Sequence, residues 1–408
     1  MRILIIGGGA SGLTAAISAA CNGAEVTIFE KNDRLGKKIL ATGNGKCNLT
    51  NMNMDLSMYN TDDYTKLGRF FALFDEKETI VKFGEYGLML KNKNGYIYPK
   101  CEQANAVLEV LVHMLDVLGV KVVTECGVLD IVPNGNGFDI KTTKGTEVFD
   151  RVIIATGSKA GLSKKDSSFA GKDGYYLAKK LGHNIIKVLP SLVQVECEED
   201  FFPEIAGIRA DCTVTLYNEE KAICREFGEL QITDYGISGI PVFQISSEIS
   251  RRLDNNETLR AVIDFMPEFD EDSFEEFING RIRSFKGETV ESFFAGLLNK
   301  KMNTLIIKQS GLKADDIVSG DIYTNLMQAC MYMKQFVVTV KGTKDFSNAQ
   351  VCCGGIALSD VNDSLESLQV PGLFLCGEVL NVDGKCGGYN LQWAWTSGTI
   401  AGIYAATI

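Results

Sequence analysis

The residues best equipped to do chemistry in this sequence are among its smallest. Gly7, Gly9 and Gly12 form a G-x-G-x-x-G run directly after the apolar stretch RILII (2–6). That stretch reads as a parallel strand covered on both faces. The segment LTAAISAAC reads as a helix with Asn22-Gly23 as its stop signal, and EVTIF (25–29) reads as a second strand. Glu30 stands at its end, eighteen residues after Gly12. Each part suits a dinucleotide. The first glycine permits a tight turn, the second lets backbone approach a pyrophosphate, and the third lets helix pack on strand. The helix N-terminus offers unpaired N–H groups and a partial positive charge. Glu30, an acceptor-only carboxylate, can take hydrogen bonds from both hydroxyls of an adenosine ribose and repels a 2′-phosphate. Glycine-rich turns are common, but strand, glycines, helix, strand and acid fall in register here, which favours dinucleotide binding over a plain βαβ turn.

A second glycine cluster, LATGNGKCNLTN (40–51), imitates a P-loop and fails the test. The P-loop pattern needs glycine at position 40, where Leu stands, and Ser or Thr at 47, where Cys stands. Other chemistries are poorly supplied. The chain has two histidines, His113 and His183, and its twelve cysteines include no C-x-x-C pair, so a zinc site or redox dithiol of the usual spacing is not expected. The net charge of −11 disfavours a polyanionic partner such as nucleic acid. No apolar run approaches the roughly 18–20 residues of a membrane span. Three glycines interrupt the N-terminal apolar stretch and a strand pattern follows, so it reads as folded core rather than as an export signal, and a reducing cytoplasm with free thiols is expected.

The order of the motifs favours FAD over NAD, because the fold opens at residue 1 and its closing pieces lie near the C-terminus. Residues 127–158 read as short alternating strands with turns at Asn134-Gly135 and Lys144-Gly145, ending in VIIATGS. PGLFLCGEV (371–379) is an apolar strand running into Gly377-Glu378, and GGYNLQWAWTSGTIAG (387–402) reads as a loop followed by a small-residue helix. The strings GGGASGLTAA, LGKKILATGNGKCNLTN and GEVLNVDGKCGGYNLQWAWTSG together resemble the YhiN/BaiN family of FAD-dependent flavoproteins, over essentially the whole chain. The resemblance implies that Gly7, Gly9, Ser11 and Gly12 meet the pyrophosphate and Glu30 the adenosine ribose, with Lys31 also among the cofactor-binding residues. It implies that the loop from Lys37 to Asn48 lies along the isoalloxazine and ribityl chain. There Gly43 permits close approach, and Thr42, Asn44 and Asn48 supply donors and acceptors. Lys37 or Lys38 opposes phosphate or flavin charge. It assigns Val128 backbone to the adenine edge, Gly157 to the turn near the phosphates, and Gly377 and Glu378 to the ribitol. Asn390 and Leu391 are assigned to the pyrimidine side of the flavin.

The expected architecture is α/β: a Rossmann-like FAD-binding domain (1–190 and 351–408) with an inserted antiparallel β-barrel-like domain (191–270 and 335–350). The insert carries a helical subdomain (271–334), whose Phe293, Phe294, Met327, Met331 and Met333 suit a helical core better than a substrate wall. The insert is expected to roof the flavin and shape a substrate pocket between domains. No second dinucleotide fingerprint occurs, so NADH or NADPH, the expected electron donor, docks transiently or in a non-Rossmann site. Family resemblance implies reduction of a C=C bond conjugated to a carbonyl in a small apolar substrate, a 3-oxo-Δ4 or Δ4,6 steroid of the 3-dehydro-bile acid type. Oxidation of a small amine such as aminoacetone and an RNA-modifying or regulatory role are the alternatives. Tyr235, Tyr389 and Lys385 are candidate proton donors, though structural hydrogen bonding suits each better, and no catalytic residue is assigned. The family's THxGISGP motif is TDYGISGIP here, with Asp234 at the histidine position, and Ser158 stands where glycine is frequent.

Overall fold

The computed structural model describes residues 1–135, 137–161 and 173–407. Position 136, in the Asn134-Gly135 turn, lies outside them. The chain divides into two compact units, residues 1–189 with 350–408 and residues 190–349.

The first unit is built on a parallel five-stranded sheet. Its order is Leu373–Leu375, Arg151–Ile154, Arg2–Ile6, Glu25–Phe29, Lys121–Val123. The first strand is central, and Ile3 is in register with both Val26 and Arg151. Ile3, Leu4 and Ile5 are completely buried, which explains why the strand is apolar on both faces. The helix Ala10–Cys21 follows the glycine turn and returns the chain to the second strand. The helix Tyr389–Thr407 lies against it. Their close approach depends on Gly398 and Gly402, which share a face one turn apart. A Cβ on Gly398 would stand 2.3 Å from Thr14 Oγ1, and one on Gly402 2.3 Å from the Ala15 carbonyl. An antiparallel sheet of Val128–Pro133, Phe138–Thr142 and Gly145–Phe149 and a small one of Thr50–Asn51, Tyr96–Pro99 and Leu90–Lys93 complete this unit's main sheets.

The second unit holds a closed six-stranded antiparallel barrel in the order Val195–Cys197, Gly236–Gly239, Lys221–Ile232, Arg209–Asn218, Leu259–Asp264, Phe336–Thr343. Residues of alternating position, such as Val214 and Leu216, or Ala261 and Ile263, fill its interior. Four helices, Glu271–Ser284, Val290–Phe294, Lys300–Gln309 and Tyr323–Lys334, pack in the same core. The apparently continuous helical pattern of VESFFAGLLNKKMNTLIIKQSG is in fact two helices. Gly296 takes a left-handed φ of 81°, and the Asn299 side chain accepts the Lys301 N–H to start the second helix. Phe293, Phe294 and Met333 are fully buried, as helical core should be, while Met327 is partly buried and Met331 is exposed.

Candidate functional site

The glycine turn separates its three tasks geometrically. Gly7 has φ 107°, and a Cβ there would lie 2.6 Å from the Ala155 carbonyl oxygen. At Gly12 a Cβ would lie 1.9 Å from the Gly7 carbonyl oxygen, so helix and strand touch only because the side chain is missing. At Gly9, the N-cap of the helix, a Cβ would meet nothing within 4 Å. Packing therefore explains the first and third glycines but not the second, where the backbone faces open space, as a ligand's close approach requires. The first N–H groups of any helix lack intrahelical partners, and here they open beside Gly9. Glu30 is 7% exposed. Its Oε2 accepts the Gly8 N–H at 2.7 Å, and Oε1 accepts the backbone and side-chain N–H groups of Asn32 at 2.8 and 2.6 Å. These bonds fix the carboxylate at the strand end and leave one acceptor position over, on Oε2. Val128 is buried at the start of its strand, close by, since the Cys126 N–H donates to the Glu30 carbonyl. Lys31 is exposed.

The Lys37–Asn48 segment is a short helix, Lys37–Ala41, followed by a tight turn. Gly43 and Asn44 both have φ 53° and Cys47 has φ 55°, all left-handed. The Thr42 hydroxyl donates to the Ile39 carbonyl at 2.5 Å, and the Cys47 N–H to the Thr42 carbonyl. Burial pushes the Cys47 thiol up to about 11, so it stays protonated near neutrality. Asn48 Oδ1 is buried and has no hydrogen-bond partner in the protein. An orphaned acceptor of this kind usually awaits a ligand or water.

The C-terminal motif closes on this loop from the other end of the sequence. Asn51 Nδ2 donates to the Gly387 carbonyl at 3.0 Å, and Trp395 Nε1 to the Leu49 carbonyl at 2.9 Å. Gly388 lies so close to Thr50 that a Cβ would stand 2.7 Å from its backbone carbon. Asn390 uses its side chain to hold the turn before the last helix, accepting the Gly384 N–H at 2.8 Å and donating to the Gly384 carbonyl at 2.7 Å. Its own backbone and that of Leu391 lie in the first turn of that helix.

Glu378 joins the two regions. Its Oε2 accepts from Lys38 Nζ at 2.6 Å and from the Ser158 hydroxyl at 3.0 Å. Lys38's ammonium is thus paired with a carboxylate of the site itself, while Lys37 pairs with Asp33 at 3.5 Å. Gly377, with φ 77°, would place a Cβ 2.3 Å from Ser11 Oγ. Its N–H donates to Ser397 Oγ at 2.9 Å, and its carbonyl accepts from Trp393 Nε1 at 3.1 Å. Gly157, with φ 68°, is the neighbour of Ser158 and lies beside Glu378. Ser11, Gly157, Gly377 and Glu378 therefore form one cluster. Sequence reading missed its supports: Ser397 and Trp393, one turn apart on the last helix, and Tyr175, whose hydroxyl donates to the Glu378 carbonyl at 3.2 Å. The one-turn spacing in WAWTS was the available signal.

The candidate proton donors divide between units. Tyr389 is buried and donates its hydroxyl to the Asn53 carbonyl at 3.3 Å, with burial first among the causes that raise its pKa. Lys385 is half-buried in the loop between Gly384 and Tyr389, and its N–H donates to the Met58 carbonyl. Tyr235 belongs to the second unit, where Lys344 Nζ sits 3.8 Å above its ring. Among the described residues no group of His, Cys, Asp and Glu could hold a metal ion, and no helix is long and apolar enough to cross a membrane.

A family model described as the HI0933-like protein Rossmann domain matches residues 1–404. The chain is 40% identical over 414 residues to a 3-dehydro-bile acid delta(4,6)-reductase of Clostridium scindens, covering 99% of each chain. It is 30% identical over 405 residues to a ribosomal RNA dihydrouridine synthase of Haemophilus influenzae, covering 97% of this chain and 96% of the relative. The solved structure of a 3-ketosteroid-delta4-(5alpha)-dehydrogenase from Rhodococcus jostii RHA1 matches 100% of this chain and 97% of its own, with a TM-score of 0.51 at 16% identity, a likeness of fold. The glycine fingerprint, the joined loop and tail, and these full-length matches lead to one conclusion: the chain belongs to the HI0933-like Rossmann-domain family, the YhiN/BaiN type that its motifs resemble.

Proposed function

We propose that the chain is an FAD-dependent oxidoreductase that reduces a C=C bond conjugated to a carbonyl, with a 3-oxo-Δ4 or Δ4,6 steroid of the bile acid type as substrate. The supporting observation with most weight is the 40% identity, over 99% of both chains, to a reductase of that substrate class. The geometry suits the cofactor. Gly9 leaves room for a pyrophosphate, with Gly7, Ser11 and Gly12 shaping the turn around it, and Glu30 and Lys31 flank the adenosine ribose. Val128 backbone would meet the adenine edge. Thr42, Gly43, Asn44 and the orphaned Asn48 oxygen would hold the flavin and its ribityl chain. Glu378 is held ready for the ribitol by Lys38 and Ser158, beside Gly157 and Gly377, while Lys37 stands at the loop's entrance. Asn390 and Leu391, in the first turn of the last helix, would offer its positive end to the flavin.

Bound FAD would supply hydride transfer at N5 between a nicotinamide donor and the substrate's β-carbon. The chain's part is to hold the ring flat between loop and tail, keep water from it and let one proton reach the α-carbon. With no histidine in the TDYGISGIP motif, a tyrosine or water is the proton source. A reduced nicotinamide nucleotide docks transiently as electron donor.

One observation favours a second reading. The Haemophilus influenzae relative is a dihydrouridine synthase, and saturating a uracil ring is the same chemistry, addition of hydrogen across a C=C conjugated to a carbonyl. The net charge of −11 weighs against an RNA substrate here. The test is anaerobic: the protein is reduced, then mixed separately with a 3-oxo-4,6-diene steroid, with unmodified ribosomal RNA and with air. Rapid reoxidation by the dienone is expected, with one C=C reduced per flavin to give the monounsaturated ketone. Reoxidation by RNA alone selects the second reading, and rapid reoxidation by air alone, with no turnover of either substrate, sinks both in favour of an oxidase.

A further inference from the structure

The flavin loop contains one charged side chain between Thr42 and Asn48, Lys46, and its partner comes from outside the motifs. Lys46 Nζ lies 3.2 Å from Glu102 Oε2, while Lys91 Nζ binds the other oxygen, Oε1, of the same carboxylate. Lys91 is in the strand Leu90–Lys93, paired with Tyr96–Pro99, which in turn pairs with Thr50–Asn51 at the loop's exit. Glu102 follows that hairpin with a left-handed φ of 54°, its N–H donating to the Pro99 carbonyl at 2.9 Å. A strained backbone thus aims one carboxylate at two ammonium groups on two different segments. Hydrogen bonds from Lys91 and then Lys46 hold its carboxyl at about 2, so it remains ionised throughout the neutral range. Side-chain exposures of 53% for Lys46 and 33% for Glu102 make the pair a weak contributor to stability. Its consequences are positional and electrostatic.

We infer that Glu102 is a positioning residue for the flavin site, clamping Lys46 so that the Thr42–Asn48 loop keeps its left-handed form and its ammonium stays neutralised beside the ring. This rests on the reading that the loop borders the isoalloxazine. Two lysines and one carboxylate leave one net positive charge at the rim, and removing the carboxylate leaves two. Positive charge near a flavin favours its reduced, more negative form.

The test uses the full-length protein and its variants Glu102→Gln, Lys46→Met and the double variant. In the apoprotein, amide hydrogen exchange across residues 42–48 should speed up several-fold in Glu102→Gln, with the rest of the chain unchanged. After FAD loading, the Glu102→Gln midpoint potential should become more positive and FAD affinity should fall several-fold. Adding Lys46→Met leaves Lys91 as the one positive charge, the wild-type balance, and should return the potential to near the wild-type value. Unchanged exchange in the apoprotein overturns the clamp regardless of any cofactor. An unchanged potential, or one that stays raised in the double variant, overturns the electrostatic role. A wild-type protein that takes up no FAD, with exchange altered as expected, instead overturns the cofactor assignment and the redox half of this inference, leaving the clamp standing.

Discussion

Replacing Gly9 by alanine separates ligand binding from folding at a single atom. Gly9 has φ −87° and ψ −168°, which any residue can adopt, and the new methyl would meet nothing within 4 Å. Reduced entropy of the unfolded chain favours the variant by about 0.4–1 kcal/mol. Loss of glycine's advantage over alanine at an N-cap offsets this by about the same amount. The apoprotein should therefore melt within a few degrees of wild type, about 1 kcal/mol at most in stability. FAD binding should not survive so well. The methyl occupies the space through which a pyrophosphate would approach the helix N–H groups. Losing one hydrogen bond to a charged group costs about 1.5–3 kcal/mol, which weakens binding by roughly 10- to 150-fold. Fluorescence titration of apoprotein with FAD, beside a thermal melt of the same sample, reads both quantities. Gly12→Ala is the contrasting control. Its methyl would lie 1.9 Å from the Gly7 carbonyl oxygen, so overpacking by about 1–3 kcal/mol should show in the melt before any ligand is added. A Gly9→Ala protein that binds FAD as tightly as wild type would refute the placement of the pyrophosphate.

Glu30→Ala removes the acceptor of the Gly8 N–H and should lower apoprotein stability by about 1–3 kcal/mol while raising the Kd for FAD, measured by urea unfolding and titration. Ser397→Ala strips the Gly377 N–H of its partner in a buried setting and should cost a similar amount, about 1–3 kcal/mol, with FAD affinity falling because Glu378 is displaced. Burial raises several thiols above the ordinary cysteine range, Cys376, Cys330 and Cys212 to about 12 and Cys352 to about 11. Their folded values exceed the unfolded ones, so this contribution is complete below about pH 9 and lost as pH climbs toward 12. Urea midpoints should accordingly fall between neutrality and about pH 10, and a thiol reagent should modify exposed Cys21 and Cys101 well before the buried set. A midpoint that rises across that interval would contradict the burial of these thiols.

Local signals revealed the first unit's frame well. An apolar five-residue run, a glycine turn and an acid at the next strand's end are consecutive in the chain, and their geometry follows from short-range rules. The barrel strands were visible for the same reason, through alternation and turn residues such as Glu219, which adopts φ 52° between its two strands. Contacts between distant segments were much less visible. Nothing local in Lys38 says that its ammonium will meet Glu378, 340 residues later. Lys91 and Glu102 carry no motif, because their value depends on where the hairpin folds back. The split near Gly296 was hidden because apolar spacing alone cannot register a single left-handed residue, although Asn299 offered a capping signal.

The most direct measurement is a crystal structure of the protein saturated with FAD. The expected density places the pyrophosphate against Gly9 and the start of the first helix, and the isoalloxazine between the Gly43–Asn48 turn and the Gly387–Leu391 segment. FAD bound elsewhere, or no flavin density from a saturated crystal, would contradict the assignment of both segments to a single cofactor.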